Sequence, residues 1–104
     1  MAVELKTDDD FLTTINNNDK VIVKYYADWC GSCRLFGPKF KRLSEDDRFS
    51  DVTFLDVNAE NSSEARKLAG VTSLPFFATF KNGELITGVA TSKEDTVVDL
   101  MNAI

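Results

Sequence analysis

The sequence predicts an α/β fold in which a central mixed five-stranded sheet is flanked by four helices. Three observations carry this expectation. The hydrophobic period switches repeatedly between two and about 3.6 along the chain. The run Val21-Ile22-Val23-Lys24-Tyr25-Tyr26-Ala27 is apolar on both faces except at Lys24, as a strand covered on both sides must be. Near the end, two strand-like runs are joined by Asn82-Gly83, a pair suited to a type I′ hairpin turn. The order β-α-β-α-β-α-β-β-α follows, with parallel crossovers first and a hairpin last.

Each element has its own signal. Ala2 to Leu5 suits a short first strand. Asp8, Asp9 and Asp10 suit a helix N-terminus, where carboxylates meet free amides, with Phe11, Leu12 and Ile15 as the buried stripe and Asn16 to Lys20 as the exit. After the central strand, Leu35, Phe36, Phe40 and Leu43 recur at helical spacing, although Pro38 removes one amide and should kink that helix one turn in. Val52 to Val57 reads as another interior strand. Asn61 with Glu64 resembles a capping box, and Gly70 suits the left-handed stop of the helix that ends at Ala69. The hairpin runs from Phe76 to Lys81 and from Glu84 to Val89. Ser92 with Asp95 then opens a last helix whose stripe includes Val97, Val98, Met101 and Ile104.

A length of 104 residues suits one domain, 1–104, large enough to bury a core without staples. The apolar content of 43% and charged content of 28% are those of a globular protein, not a disordered or membrane segment. The N-terminus carries no signal-like or presequence-like pattern and no long apolar run occurs, so the expected location is cytosolic. A net charge of -5 argues against nucleic acid or anionic membrane as ligand. Against that background Arg34, Lys39, Lys41 and Arg42 cluster just after the cysteines, either as a solvated helix face or as a local positive field.

Both cysteines lie in Asp28-Trp29-Cys30-Gly31-Ser32-Cys33, directly after the only tryptophan, where the central strand hands over to a helix. Open α/β sheets usually place chemistry outside the carboxyl ends of their strands. A thiol at a helix N-terminus meets unpaired amides and the positive dipole end, which favours the nucleophilic thiolate. Cys30 occupies that place, and Cys33 follows one turn later on the same side, able to attack a mixed disulfide formed by Cys30. Gly31 and Ser32 are small enough to admit a substrate chain, and Trp29 supplies an aromatic wall. Two buried structural cysteines are the bland alternative. A zinc site lacks further ligands, because the chain has no His and no third Cys. The lack of His also removes Cys-His catalysis, which leaves dithiol-disulfide chemistry.

These residues resemble the thioredoxin family along essentially the whole chain. Tyr26-Ala27-Asp28-Trp29-Cys30-Gly31-Ser32-Cys33 is similar to its active-site box, Pro38 to the proline of the following helix, and Leu74-Pro75 to the loop whose cis-proline faces the cysteines. Lys81-Asn82-Gly83-Glu84 matches the hairpin turn and Gly88 the glycine flanking the binding groove. The resemblance implies a thioredoxin fold, with Cys30 as attacking and Cys33 as resolving thiol. It implies that Leu74 pairs its backbone with substrate and that Trp29, Gly31, Ser32, Pro75 and Gly88 line a shallow groove. It further implies reduction of protein disulfides by a monomer, with no bound cofactor, no metal and re-reduction by an NADPH-dependent thioredoxin reductase. An oxidase or isomerase is the chemical rival, and a redox sensor or protein-binding module on the same fold is the rival of another class.

Three positions depart from the family pattern. Ser32 replaces a proline between the cysteines, so the looser turn should make a weaker reductant. Phe76 stands where a small polar residue often follows the cis-proline, which should make the groove more apolar or narrower. Lys24 stands where the family usually buries an acid, and Asp56 falls on the neighbouring strand where bacterial members often carry the partner lysine. The expectation is a largely buried ion pair of reversed sign behind Cys33, with Asp56 handling the Cys33 proton directly or through water and Lys24 favouring the thiolate; the alternatives are a purely structural pair or a Lys24 that snorkels to solvent.

Overall fold

The computed structural model describes residues 2–104. Its elements are β1 (Glu4–Lys6), α1 (Phe11–Asn17), β2 (Lys20–Tyr26), α2 (Gly31–Ser44), β3 (Val52–Asn58), α3 (Ser63–Ala69), β4 (Phe76–Lys81), β5 (Glu84–Ala90) and α4 (Glu94–Asn102). A single 3-10 turn at Asp47–Phe49, which no periodicity announced, leads into β3. The sheet order is β1-β3-β2-β4-β5. β1 and β2 run parallel to β3, whereas β4 runs antiparallel to both β2 and β5, so the sheet is mixed as expected.

Strand alternation sorts β2 into two cores. Val21, Val23 and Tyr25 join Phe11, Ile15, Leu55 and Ala65 on the α1/α3 face. Ile22 joins Phe36, Phe40, Phe54, Phe77, Val97 and Met101 on the α2/α4 face. Lys24, two residues after Ile22, therefore points to the second face as well. There Phe36 lies 4.8 Å from Phe77, and Phe40 lies 5.1 Å from Phe54, ring centre to ring centre. At roughly 2 kcal/mol per buried phenyl ring, these contacts pin α2 to the sheet and so fix where its first turn stands. The helix continues through Pro38.

Several expectations shift in detail. The first strand starts later, at Glu4, and Leu12 and Leu35 are exposed instead of buried. No side chain caps α3 from its own N-terminus. The Asp8 carboxylate does so from across the fold, accepting from the N–H groups of Glu64 at 3.1 Å and Ala65 at 2.9 Å. Of the three aspartates before α1, Asp8 thus serves another helix, because tertiary approach brings the free amides of α3 to it. Gly70 does adopt the left-handed stop, with φ 67°, and Asn82 and Gly83 have φ 52° and 83° at the hairpin turn. The last helix begins at Glu94, not at Ser92.

Candidate active site

β2 ends at Tyr26, and four residues later Cys30 forms the N-cap of α2. Its extended backbone aims the sulfur back over the helix start, where Sγ accepts from the N–H of Cys33 at 3.2 Å. Cys30 and Cys33 are joined by a disulfide with Cα atoms 5.3 Å apart. The sulfurs pack with Ala27, against Tyr26 and Leu74, in a small cluster of their own. This leaves Cys30 only 5% exposed, beneath a thin rim. The rim is open: Trp29 is 70% exposed, and a methyl group on Gly31 would meet no atom within 4 Å. The Ser32 hydroxyl lies 3.7 Å from Cys30 Sγ.

The Leu74-Pro75 peptide bond is cis. Leu74 packs against the cysteine cluster and precedes Phe76, the first residue of β4 to enter the ladder. Gly88 stands elsewhere than expected. Register places it opposite Ala78, three residues past Pro75, and a Cβ there would fall 2.9 Å from the Phe76 ring and 3.3 Å from the Ala69 carbonyl. It is a packing glycine that admits Phe76. The part of the last strand that reaches the proline is Ala90, opposite Phe76, followed by Thr91, whose N–H donates to the Pro75 carbonyl at 3.2 Å.

Lys24 and Asp56 are direct partners in the parallel ladder of β2 and β3. Nζ of Lys24 lies 3.3 Å from Oδ1 of Asp56, with side chains 7% and 28% exposed. The contact is an ion pair without a well-aligned hydrogen bond, since Oδ1 finds no such donor among the described residues. The ammonium also lies 5.4 Å from the centre of the Phe40 ring and 5.8 Å from that of Tyr26. Burial raises the Asp56 carboxyl above its ordinary range, and the neighbouring Lys24 opposes that shift. A cavity of about 230 Å³ has Lys24, Asp56, Gly37, Arg34 and Cys33 in its walls, so the ion pair and the inner cysteine share one space.

One contact had no signal in the sequence. Nε1 of Trp29 donates to the Glu60 carboxylate at 2.9 Å. Glu60 is held in turn by its N–H bond to Asn58 Oδ1, on the loop that follows β3. A separation of 31 residues between two exposed side chains leaves no periodic trace.

A disulfide between cysteines three positions apart, capping the helix that leaves a central strand and packed against the residue before a cis-proline, defines a protein of thiol-disulfide exchange. Comparison with known proteins specifies the group. The family model Thioredoxin matches residues 2–103. Thioredoxin-1 of Schizosaccharomyces pombe is 35% identical over 86 residues, covering 83% of this chain and 82% of the relative. Thioredoxin of Mycoplasma genitalium is 30% identical over 103 residues, covering 98% and 99%. Among solved structures, the short form of thioredoxin F from spinach chloroplast superposes with a TM-score of 0.90 at 25% identity, over 98% of this chain and 92% of that one. The chain belongs to the thioredoxin family and is a protein-disulfide oxidoreductase with the thioredoxin fold.

Proposed function

We propose that the protein reduces disulfides of other proteins, with Cys30 as nucleophile and Cys33 as resolving thiol. In the dithiol form, the Cys30 thiolate attacks one sulfur of a substrate disulfide, forming a mixed disulfide and releasing the other substrate sulfur as a thiolate. Cys33, deprotonated, then attacks the Cys30 sulfur. The second substrate thiol leaves, two electrons have passed to the substrate, and the Cys30-Cys33 disulfide results. The observation that carries this assignment is the Cys33 N–H aimed at Cys30 Sγ, at the positive end of α2, where negative charge on sulfur is favoured. The openness above Gly31 and the exposure of Trp29 support approach from that side.

Leu74 offers its backbone to an extended substrate segment, while Trp29, Gly31, Ser32 and Pro75 border the contact. Asp56 takes the proton from Cys33, directly or through water in the shared cavity, and Lys24 favours the thiolate that results. An NADPH-dependent thioredoxin reductase restores the dithiol. A reducing compartment such as the cytosol suits a dithiol donor.

The assignment is tested by trapping. With insulin as the disulfide substrate, Cys33→Ser accumulates a mixed disulfide on Cys30, and Cys30→Ser accumulates none. Turnover that survives Cys30→Ser overturns the order of attack. Proton handling is tested by the pH dependence of reduction in Lys24→Ala, Asp56→Ala and the double variant. If rates and Cys33 titration match wild type in all three, the pair is structural only.

A further inference from the structure

We propose that the outward face of α2, continuing from the disulfide, docks protein substrates that present an apolar side chain flanked by carboxylates beside their own disulfide; this rests on the reductase reading above. The first observation is charge. Between Gly31 and Ser44 there are four basic residues and no acidic one, in a chain whose net charge is -5. The second is exposure. Leu35, 76% exposed, and Trp29, 70% exposed, are the most exposed large apolar side chains described, and they stand on either side of the cysteine turn.

Helical spacing joins these features. Ser32, Leu35, Lys39 and Arg42 recur at three- and four-residue steps, while Cys33, Phe36, Phe40 and Leu43 face the core. The outward row therefore runs from the disulfide rim to an apolar side chain and on to two cations. These cations have little internal compensation. Lys39 has no carboxylate partner among the described residues and lies 6.0 Å from the Phe36 ring centre. Arg42 meets Glu94 only at 3.9 Å, with both side chains well exposed. Arg34, on the flank, donates to the Asp28 carbonyl and neutralises no carboxylate there.

Around the Trp29 indole the charge is opposite, with the Glu60 carboxylate accepting from Nε1, whereas the exposed Asp28 is tied by its carbonyl to Arg34 of α2. The site is thus polarised, and a substrate whose acidic residues lie on the α2 side is both steered and oriented. A solvated helix face accounts for the cations but not for Leu35 set between them and the disulfide. The overall negative charge favours an acidic protein segment over nucleic acid, whose phosphates would be repelled elsewhere on the surface.

The test compares two synthetic peptides, each closed by one disulfide and identical except for a Leu-Asp-Glu or a Leu-Lys-Arg flank. Bis(2-hydroxyethyl) disulfide serves as an uncharged small substrate. At low ionic strength wild type should favour the acidic peptide about tenfold in kcat/KM, and added salt should shrink the preference. Lys39→Glu combined with Arg42→Glu should reverse the preference. Leu35→Ser should raise KM for both peptides about threefold. All variants should reduce the small disulfide at the wild-type rate.

Equal rates on the two peptides overturn the proposal, as does an equal slowing of the small disulfide by the same substitutions. Competition by oligo-dT at the concentration at which the acidic peptide competes overturns it in favour of a general polyanion surface. Failure of wild type on the small disulfide would instead overturn the reductase reading itself.

Discussion

Lys24 and Asp56 face each other across adjacent parallel strands with Nζ and Oδ1 3.3 Å apart, the cation on the central strand and the carboxylate on its neighbour. The ammonium is the more deeply buried partner, so the two halves of the pair are unequal. Removing the carboxylate strands a charge between aromatic rings, whereas removing the lysine leaves a carboxylate that still reaches solvent. Asp56→Ala should therefore be the more costly of the two single substitutions and Lys24→Met the less costly. Lys24→Met with Asp56→Leu should return to within about 1 kcal/mol of wild type. Urea unfolding of the three variants measures this, and equal losses for both single variants would contradict the asymmetry.

The same carboxyl predicts a pH dependence of stability. Burial raises its folded pKa, so the folded protein holds the Asp56 proton more tightly than the unfolded chain does. That contribution is complete below the ordinary aspartate value, roughly 3.9, and is lost as pH rises through the raised folded value. Asp56→Asn does not titrate. The stability of wild type relative to Asp56→Asn should therefore fall with rising pH across that window, read from unfolding curves at stepped pH. A difference that grows instead would refute the shift.

Gly88 is predicted to matter for packing and not for chemistry. A Cβ at that position would press on Phe76 and the Ala69 carbonyl. Gly88→Val should cost about 2 kcal/mol in thermal or urea unfolding. At temperatures where the variant is folded, it should reduce bis(2-hydroxyethyl) disulfide as wild type does. Normal stability with impaired reduction would restore the groove assignment.

Asp8 serves α3 from outside the helix. Asp8→Ala leaves the N–H groups of Glu64 and Ala65 without that acceptor and should cost about 1 kcal/mol, with faster hydrogen exchange at those two amides. Asp8→Asn keeps an acceptor oxygen and should lose less. Unchanged exchange in Asp8→Ala would show that solvent replaces the cap without cost.

The indole of Trp29 is tethered by Glu60. Glu60→Ala should increase the fast component of Trp29 fluorescence anisotropy decay, a direct reading because this is the only tryptophan. An unchanged decay would mean that the ring is held by its packing alone.

Element order, the parallel-then-hairpin sheet and the helix-capping position of Cys30 were legible along the chain because they depend on local period, on glycine at φ above zero and on a cysteine spacing of three. Even the reversed Lys24-Asp56 pair could be anticipated, since a charge in an otherwise apolar strand demands a partner nearby. Other features depend on which surfaces meet after the chain has folded. Asp8 caps a helix more than fifty residues away, Glu60 holds Trp29, Gly88 makes room for Phe76, and Leu35 stays in solvent despite its helical spacing. Period determines which face of an element is apolar, but contact between distant side chains is decided by the packing of sheet against helix, and only the assembled fold contains that information.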